Sequence, residues 1–176
     1  MRLLGLDLGF AALGYVVVEA ETVLVGGVIR TKKTAKKRGI RVADDDMMRA
    51  QEIVHELNRI ARENGIGAVV AELPSGGAKG ARAHLAMGMA KGVLAAWLVA
   101  SRFPCEFVTP DEVKRAVTGK RNASKIEVEE AVKRLYKWPC PFVPKRMDAE
   151  HIADAAGAVY AAREGNMMRT LEARTV

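Results

Sequence analysis

Residues 3–14, LLGLDLGFAALG, constrain this chain more than any other stretch. Leu3, Leu4 and Leu6 are apolar, and Asp7 interrupts them. Gly9 and a run of small residues lead to Gly14 and the apolar run Tyr15, Val16, Val17, Val18. The pattern predicts a buried strand, a tight connection and a second strand. A carboxylate inside such a strand is costly unless it is paired or binds a cation. Asp7 therefore has two readings. It caps the turn through its own backbone, or it is a metal ligand at the centre of a sheet. The second reading needs further ligands from elsewhere in the chain.

Residues 23–29 form a third, valine-rich run. Short connections between the three runs predict antiparallel neighbours. Residues 31–41, TKKTAKKRGIR, carry Lys32, Lys33, Lys36, Lys37, Arg38 and Arg41 with almost nothing apolar. They are a solvated loop or an arm on a phosphate backbone, and their charge density favours the arm. Residues 43–64 have helical spacing, with Met47, Ala50, Val54, Leu57 and Ala61 on one stripe and Ile53 and Ile60 beside it. Asp44, Asp45 and Asp46 suit the positive end of that helix and read as capping, because successive helical residues point apart. Gly65 ends the helix.

Residues 67–72, GAVVAE, read as a buried strand ending in a carboxylate. A strand that follows a helix is expected to run parallel to the first. Glu72 then sits at the carboxyl end of a central strand, where open α/β sheets place their sites. The alternative is a strand-end glutamate in solvent. Residues 79–99 form a long helix rich in alanine and glycine, including Gly80, Gly88 and Gly92. Each glycine costs helix propensity, so close backbone approach to the sheet or to a second copy is expected to offset it. Met87, Leu94 and Leu98 supply its contact face, and His84 reads as surface or interface.

A strand at 104–108 leads into a helix at 110–117 with Thr109 as cap. The turn at 118–121 is followed by a helix at 122–136 with Ile126, Val128, Ala131, Val132 and Leu135 inward. Lys114, Lys120, Arg121 and Lys125 make a second basic group around that turn. The final helix, 148–163, has Ile152, Ala155, Ala156, Val159 and Tyr160 on its apolar face. His151 and Asp154 lie three apart and project from nearly the same face, so one helix can offer two ligands to one ion. Alternatively Asp148 caps, His151 is exposed and Asp154 pairs with an arginine.

The 176 residues suit one domain, and 49% apolar with 28% charged excludes a disordered chain. A formal charge of +7 suits a polyanionic partner, nucleic acid before membrane, although ordinary solvated lysine gives the same total. Cys105 and Cys140 form no CxxC pair, so neither a zinc site nor a disulfide framework is indicated. A reduced, cytoplasmic setting is expected, with no signal-peptide pattern at the start. The longest apolar run, 92–100, is too short to cross a bilayer.

Asp7, Glu72, His151 and Asp154 together suit two hard divalent cations. Two ions about 4 Å apart clamp the attacking and leaving oxygens of an in-line phosphodiester displacement. Flanking basic loops would hold neighbouring phosphates. The order of three antiparallel strands, helix, strand, helix, strand and helices looks like the α/β ribonuclease H-like fold, a mixed sheet of five strands with flanking helices. The strings LGLDLGFAALGY, VVAELP, MAKGVLAAWL, VTPDEVKRAVTGKRNASKIEVEEAVKRL and HIADAAGAVYAA resemble the RuvC-type Holliday-junction endonucleases. The likeness covers most of the chain and is weakest at 31–41 and after Arg163.

That resemblance implies a homodimer that cuts four-way DNA junctions by paired nicks with Mg²⁺, Mn²⁺ also serving. It implies no small-molecule substrate. Asp7, Glu72 and Asp154 match the family's metal carboxylates, and His151 stands where many members carry an aspartate and some a histidine. Lys114 and Lys125 match basic positions that support phosphate binding or the transition state. Many members carry an aromatic wedge soon after the site glutamate. Residues 73–77, LPSGG, hold none, and Phe10, close to Asp7 in sequence, is the candidate substitute. Two rival readings remain. DLGFAALG also looks like the first phosphate loop of sugar-kinase and actin-like ATPases, which need two such domains to enclose a nucleotide. A non-catalytic or RNA-processing relative of the same fold would tolerate loss of a ligand, whereas all four are present.

Overall fold

A continuous apolar run suited to burial on both faces places β1 (Arg2–Asp7) at the centre of a five-stranded sheet. The computed structural model describes residues 1–34, 39–73, 80–139 and 146–173. Lys36, Lys37, Arg38, the loop from Pro74 to Gly77, and Cys140 lie outside them. β2 (Ala12–Glu19) runs antiparallel to β1, and β3 (Thr22–Arg30) antiparallel to β2. After α1 (Val42–Asn64), β4 (Ala68–Glu72) returns parallel to β1 on its other side. α2 (Ala81–Ser101) then leads to β5 (Cys105–Val108), parallel to β4. The order across the sheet is β3-β2-β1-β4-β5, and its mixed five strands with flanking helices are those the resemblance implies. α3 (Pro110–Thr118), α4 (Lys125–Leu135) and α5 (Arg146–Ala161) follow. A 3₁₀ turn (Ala162–Glu164) and α6 (Asn166–Ala173), neither expected from the sequence pattern, end the described chain.

The sheet separates two cores. Leu4, Leu6, Val17, Val69 and Ala71 face α1 and α2, where Ile53, Leu57, Leu94 and Trp97 complete one apolar cluster. Val16, Val18 and Val70 face α3, α4 and α5, with Val113, Val132, Ile152 and Ala155. Period-2 alternation in a strand covered on both faces sends its side chains to both clusters.

Local signals end α1 and start α3 where expected, and start α4 at Lys125, three residues later than expected. Gly65 takes φ 58° and caps α1. Thr109 with Glu112, and Ser124 with Glu127, each form a reciprocal capping box at the start of α3 and α4. Three helical faces differ from the prediction. Met47 is exposed because the buried face of α1 is centred on Ile53, Leu57 and Ile60. Ile126 lies in the first turn of α4, outside the contact with α5, and is exposed. Met87 is only partly buried, while Trp97 joins Leu94 and Leu98 in covering the sheet.

Asp44 and Asp45 lie in the first turn of α1, as expected for acids at its positive end, but no aspartate occupies the N-cap. The N-cap position is Arg41, with no side-chain capping bond. Asp45 instead accepts from the Thr34 amide at 2.7 Å, and Asp46 pairs with Arg49 and Arg82. α2 also departs from the reading of 92–100 alone. Among the described residues it is the one helix long and apolar enough to cross a membrane, and only 22% of that span is buried.

Candidate active site

Strand register does the first part of the assembly. Asp7 and Glu72 are direct partners at the carboxyl ends of the adjacent parallel strands β1 and β4. The second part is the seating of α5. A Cβ on Gly5 would stand 2.4 Å from the Ala155 carbonyl oxygen. One on Gly14 would stand 2.4 Å from the His151 carbonyl oxygen. Two strand glycines therefore let α5 lie directly on β1 and β2, closer than any side chain allows. His151, which lies over Gly14, and Asp154, next in the chain to the Ala155 that lies over Gly5, are carried to the end of β1 as a result.

Asp7, Glu72, His151 and Asp154 line one pocket of about 320 Å³, with Lys114, Lys125 and Glu150. All four residues expected as ligands are thus brought together. His151 Nδ1 donates to Asp7 Oδ2 at 2.7 Å. This hydrogen bond raises the His151 pKa against the opposing effect of burial. Burial, then the charges of Asp154 and Asp7, push the Glu72 carboxyl up to about 8. Burial and Asp7 push Asp154 up to about 6. Lys125 and Lys114 act in the opposite direction on both.

Among the described residues no three such side chains form a closed metal-ligand cluster. The donor set still fits hard cations, being an imidazole and three carboxylates whose mutual repulsion Lys114 and Lys125 only partly offset. Like-charged carboxylates spread apart, and the Asp7–His151 bond occupies two of the four groups. A divalent ion competes with that bond for Asp7 and with the protons on Glu72 and Asp154.

Asp148 does not cap α5, which starts at Arg146; its carboxylate accepts from Arg30 on β3. The arginine partner foreseen for Asp154 belongs to Asp148 instead. Lys125 donates to Glu150 across the pocket. Glu150 was legible only as a neighbour of His151, because nothing in the sequence shows that α4 delivers Lys125 to it. Lys120 and Arg121 are exposed and pair with Glu127 and Asp111. Those pairs sit in solvent, where such contacts are weak, so both cations remain able to meet phosphate. Lys32 and Lys33 are exposed. Phe10 is 5% exposed, with the Arg49 guanidinium 4.3 Å over its ring, and cannot serve as a wedge. His84 is exposed on α2, as expected.

The family described as crossover junction endodeoxyribonuclease RuvC matches residues 3–160. The chain belongs to the RuvC family. A RuvC from Streptomyces griseus is 33% identical over 156 residues, covering 85% of this chain and 70% of that protein. A RuvC from Porphyromonas gingivalis is 28% identical over 172 residues, covering 96% and 86%. In structure, RuvC from T. thermophilus in complex with Holliday junction substrate superposes with TM-score 0.71 at 22% identity, over 94% of this chain and 96% of that one. The yeast mitochondrial Holliday junction resolvase Ydc2 gives 0.62 at 15% identity, over 99% and 84%. These likenesses bear out the RuvC-type fold, with the sheet order described above.

Proposed function

We propose that this RuvC-family chain is a divalent-metal-dependent endonuclease that cuts four-way DNA junctions, acting as a homodimer. The observation that carries the reading is the convergence of Asp7, Glu72, His151 and Asp154 on one pocket whose rim holds Lys114 and Lys125. Two Mg²⁺ ions, or Mn²⁺, would supply an activated water and neutralise the charge that builds on the phosphate. Asp7, Glu72, Asp154 and His151 would hold the ions, which would require Glu72 and Asp154 to lose their protons and His151 to present a neutral ring nitrogen. Lys125 leaves Glu150 for a phosphate oxygen, and Lys114 supports the same phosphate. Lys32, Lys33, Lys120 and Arg121 contact flanking phosphates.

The homodimer reading rests on α2. A Cβ added at Gly88 or Gly92 would meet no atom within 4 Å, so nothing in the described chain requires glycine there. Leu85 and Val99 on α2 and Met47 on α1 are large, apolar and exposed. Close approach of a second copy accounts for both, and two-fold symmetry suits a junction cut in pairs.

The test is nicking of four-way, three-way, flap and linear DNA, with and without divalent ions, alongside a branched RNA. Four-way DNA should be cut best and only with the ions. Asp7→Asn should abolish cutting while binding to the junction persists. Full cutting by that variant would remove the assignment, and preference for RNA would move it to RNA processing.

A further inference from the structure

The pocket of carboxylates is not the only cavity that His151 lines. A groove of about 670 Å³ opens on its other side, between the β1–β2 connection and the first turns of α1 and α2. We propose that this groove receives one unstacked nucleotide of the cleaved strand, next to the phosphate held at the carboxylates. The proposal rests on the nuclease reading above and adds a second binding site to it.

The groove is amphiphilic in the way a single nucleotide requires. Leu8, Ala83, Ala86 and Met87 form apolar walls against which the face of a base can lie. Lys33 and Arg82 supply exposed cations for its phosphate. Nucleic-acid sites that hold single strands combine these two elements, a surface for base faces and a positive track for the backbone. Paired duplex DNA offers base edges in its grooves and keeps the faces stacked. A branch point is where a base leaves its stack at least cost. His151 lines both cavities, so a nucleotide in the groove would neighbour the phosphate held at the carboxylates.

The shape is set before any ligand arrives. Arg49 is 5% exposed, yet its guanidinium reaches the Phe10 carbonyl at 3.2 Å, the Thr31 hydroxyl at 3.0 Å and Asp46 at 3.4 Å. The Thr31 hydroxyl donates in turn to the Phe10 carbonyl at 2.6 Å. One buried cation thus ties the β1–β2 connection, the chain just after β3 and α1 into a rigid floor. Arg82 donates to the same Asp46 oxygen at 3.2 Å. Asp46 keeps Arg49 when Arg82 turns to a phosphate, so the exchange leaves no buried charge alone. Three cations against one carboxylate leave the groove positive.

The full-length Asp7→Asn protein is bound to four-way junctions carrying 2-aminopurine at single positions on either side of the cut phosphate. Fluorescence should rise at one adjacent position, the mark of an unstacked base. Ala83→Leu, an exposed position that narrows the groove, should remove most of that rise. Arg82→Ala should lower the slope of log binding constant against log salt by about one, and Arg82→Lys should restore it. With Asp7 intact, Ala83→Leu should lower kcat/KM on the junction about tenfold or more, the loss expected for roughly one base contact. If the parent protein cuts junctions and neither variant alters fluorescence, salt slope or cutting, the groove is not a nucleotide site and the nuclease reading stands. If the parent protein cuts no branched DNA, both fall together.

Discussion

Glu72 is held in surroundings that oppose its own charge. Its carboxyl is pushed up to about 8 from 4.5, by burial first and then by Asp154 and Asp7. Asp154 is pushed from 3.8 to about 6 for the same reasons. A raised folded-state pKa on an acid means the folded protein retains a proton that the unfolded chain has lost. Metal-free stability should therefore be fully present below 4.5 and fall as pH rises toward 8. Glu72→Gln should stabilise the metal-free protein at pH 8 by about 1–3 kcal/mol in denaturant melts while abolishing cutting. Unchanged or lower stability would mean the carboxylates do not repel as described. Added Mg²⁺ should stabilise the parent more at pH 8 than at pH 6, because fewer protons then compete with the ions for Glu72 and Asp154. His151 brings a softer donor than carboxylate, so Mn²⁺ should exceed Mg²⁺ in supporting activity, and His151→Asp should narrow the ratio. A ratio unaffected by that change would exclude the imidazole as a ligand. The four acidic and imidazole positions were legible because each breaks an apolar pattern. The partners of Asp45 and Asp46 are not legible, because an acid that suits the helix dipole looks the same in sequence as one held by the Thr34 amide or by Arg49 and Arg82.

At the scale of elements, α5 is what turns two strand-end carboxylates into a site. It packs on β1, β2 and β4 and against α3 and α4. Gly5 and Gly14 permit that seating, and the nearest atoms a side chain would meet there are backbone, which cannot swing away. Gly14→Ala should destabilise the fold by about 2–4 kcal/mol, the upper range of overpacking effects. Its cutting should fall further than its melting point explains, because His151 moves with the helix. A variant with native stability and full activity would show that α5 is not set by this contact. Element types and most boundaries were legible, since strand patterning, helix spacing and caps such as Thr109 act within a few residues, whereas the start of α4 at Lys125, set by the Ser124 cap, falls three residues after the expected one. The outward turn of Met47 and Ile126 was not, because a helix with apolar residues on several sides does not reveal which side its neighbours cover.

For the whole molecule, the face of α2 that no described residue covers and the excess of cations are the properties that matter. Gly92→Glu adds a charge at the proposed contact between copies and should give a monomer in light scattering at concentrations where the parent is a dimer. Paired cutting should then become single nicking. A parent that is monomeric while cutting both strands together would refute the dimer, and partition of the parent into lipid vesicles would assign the face to membrane instead. The sequence by itself determined the order of strands and helices, the chemistry of the four site residues and the net charge of +7. Those follow from periodicities and side-chain types that need no knowledge of distant chain. Only the tertiary structure decided that Gly5 and Gly14 admit α5, that Glu150 meets Lys125, and that Arg49 ties three segments into the floor of a groove beside His151. Such contacts join residues far apart in the chain, and their partners exist only once packing has set the distances between elements.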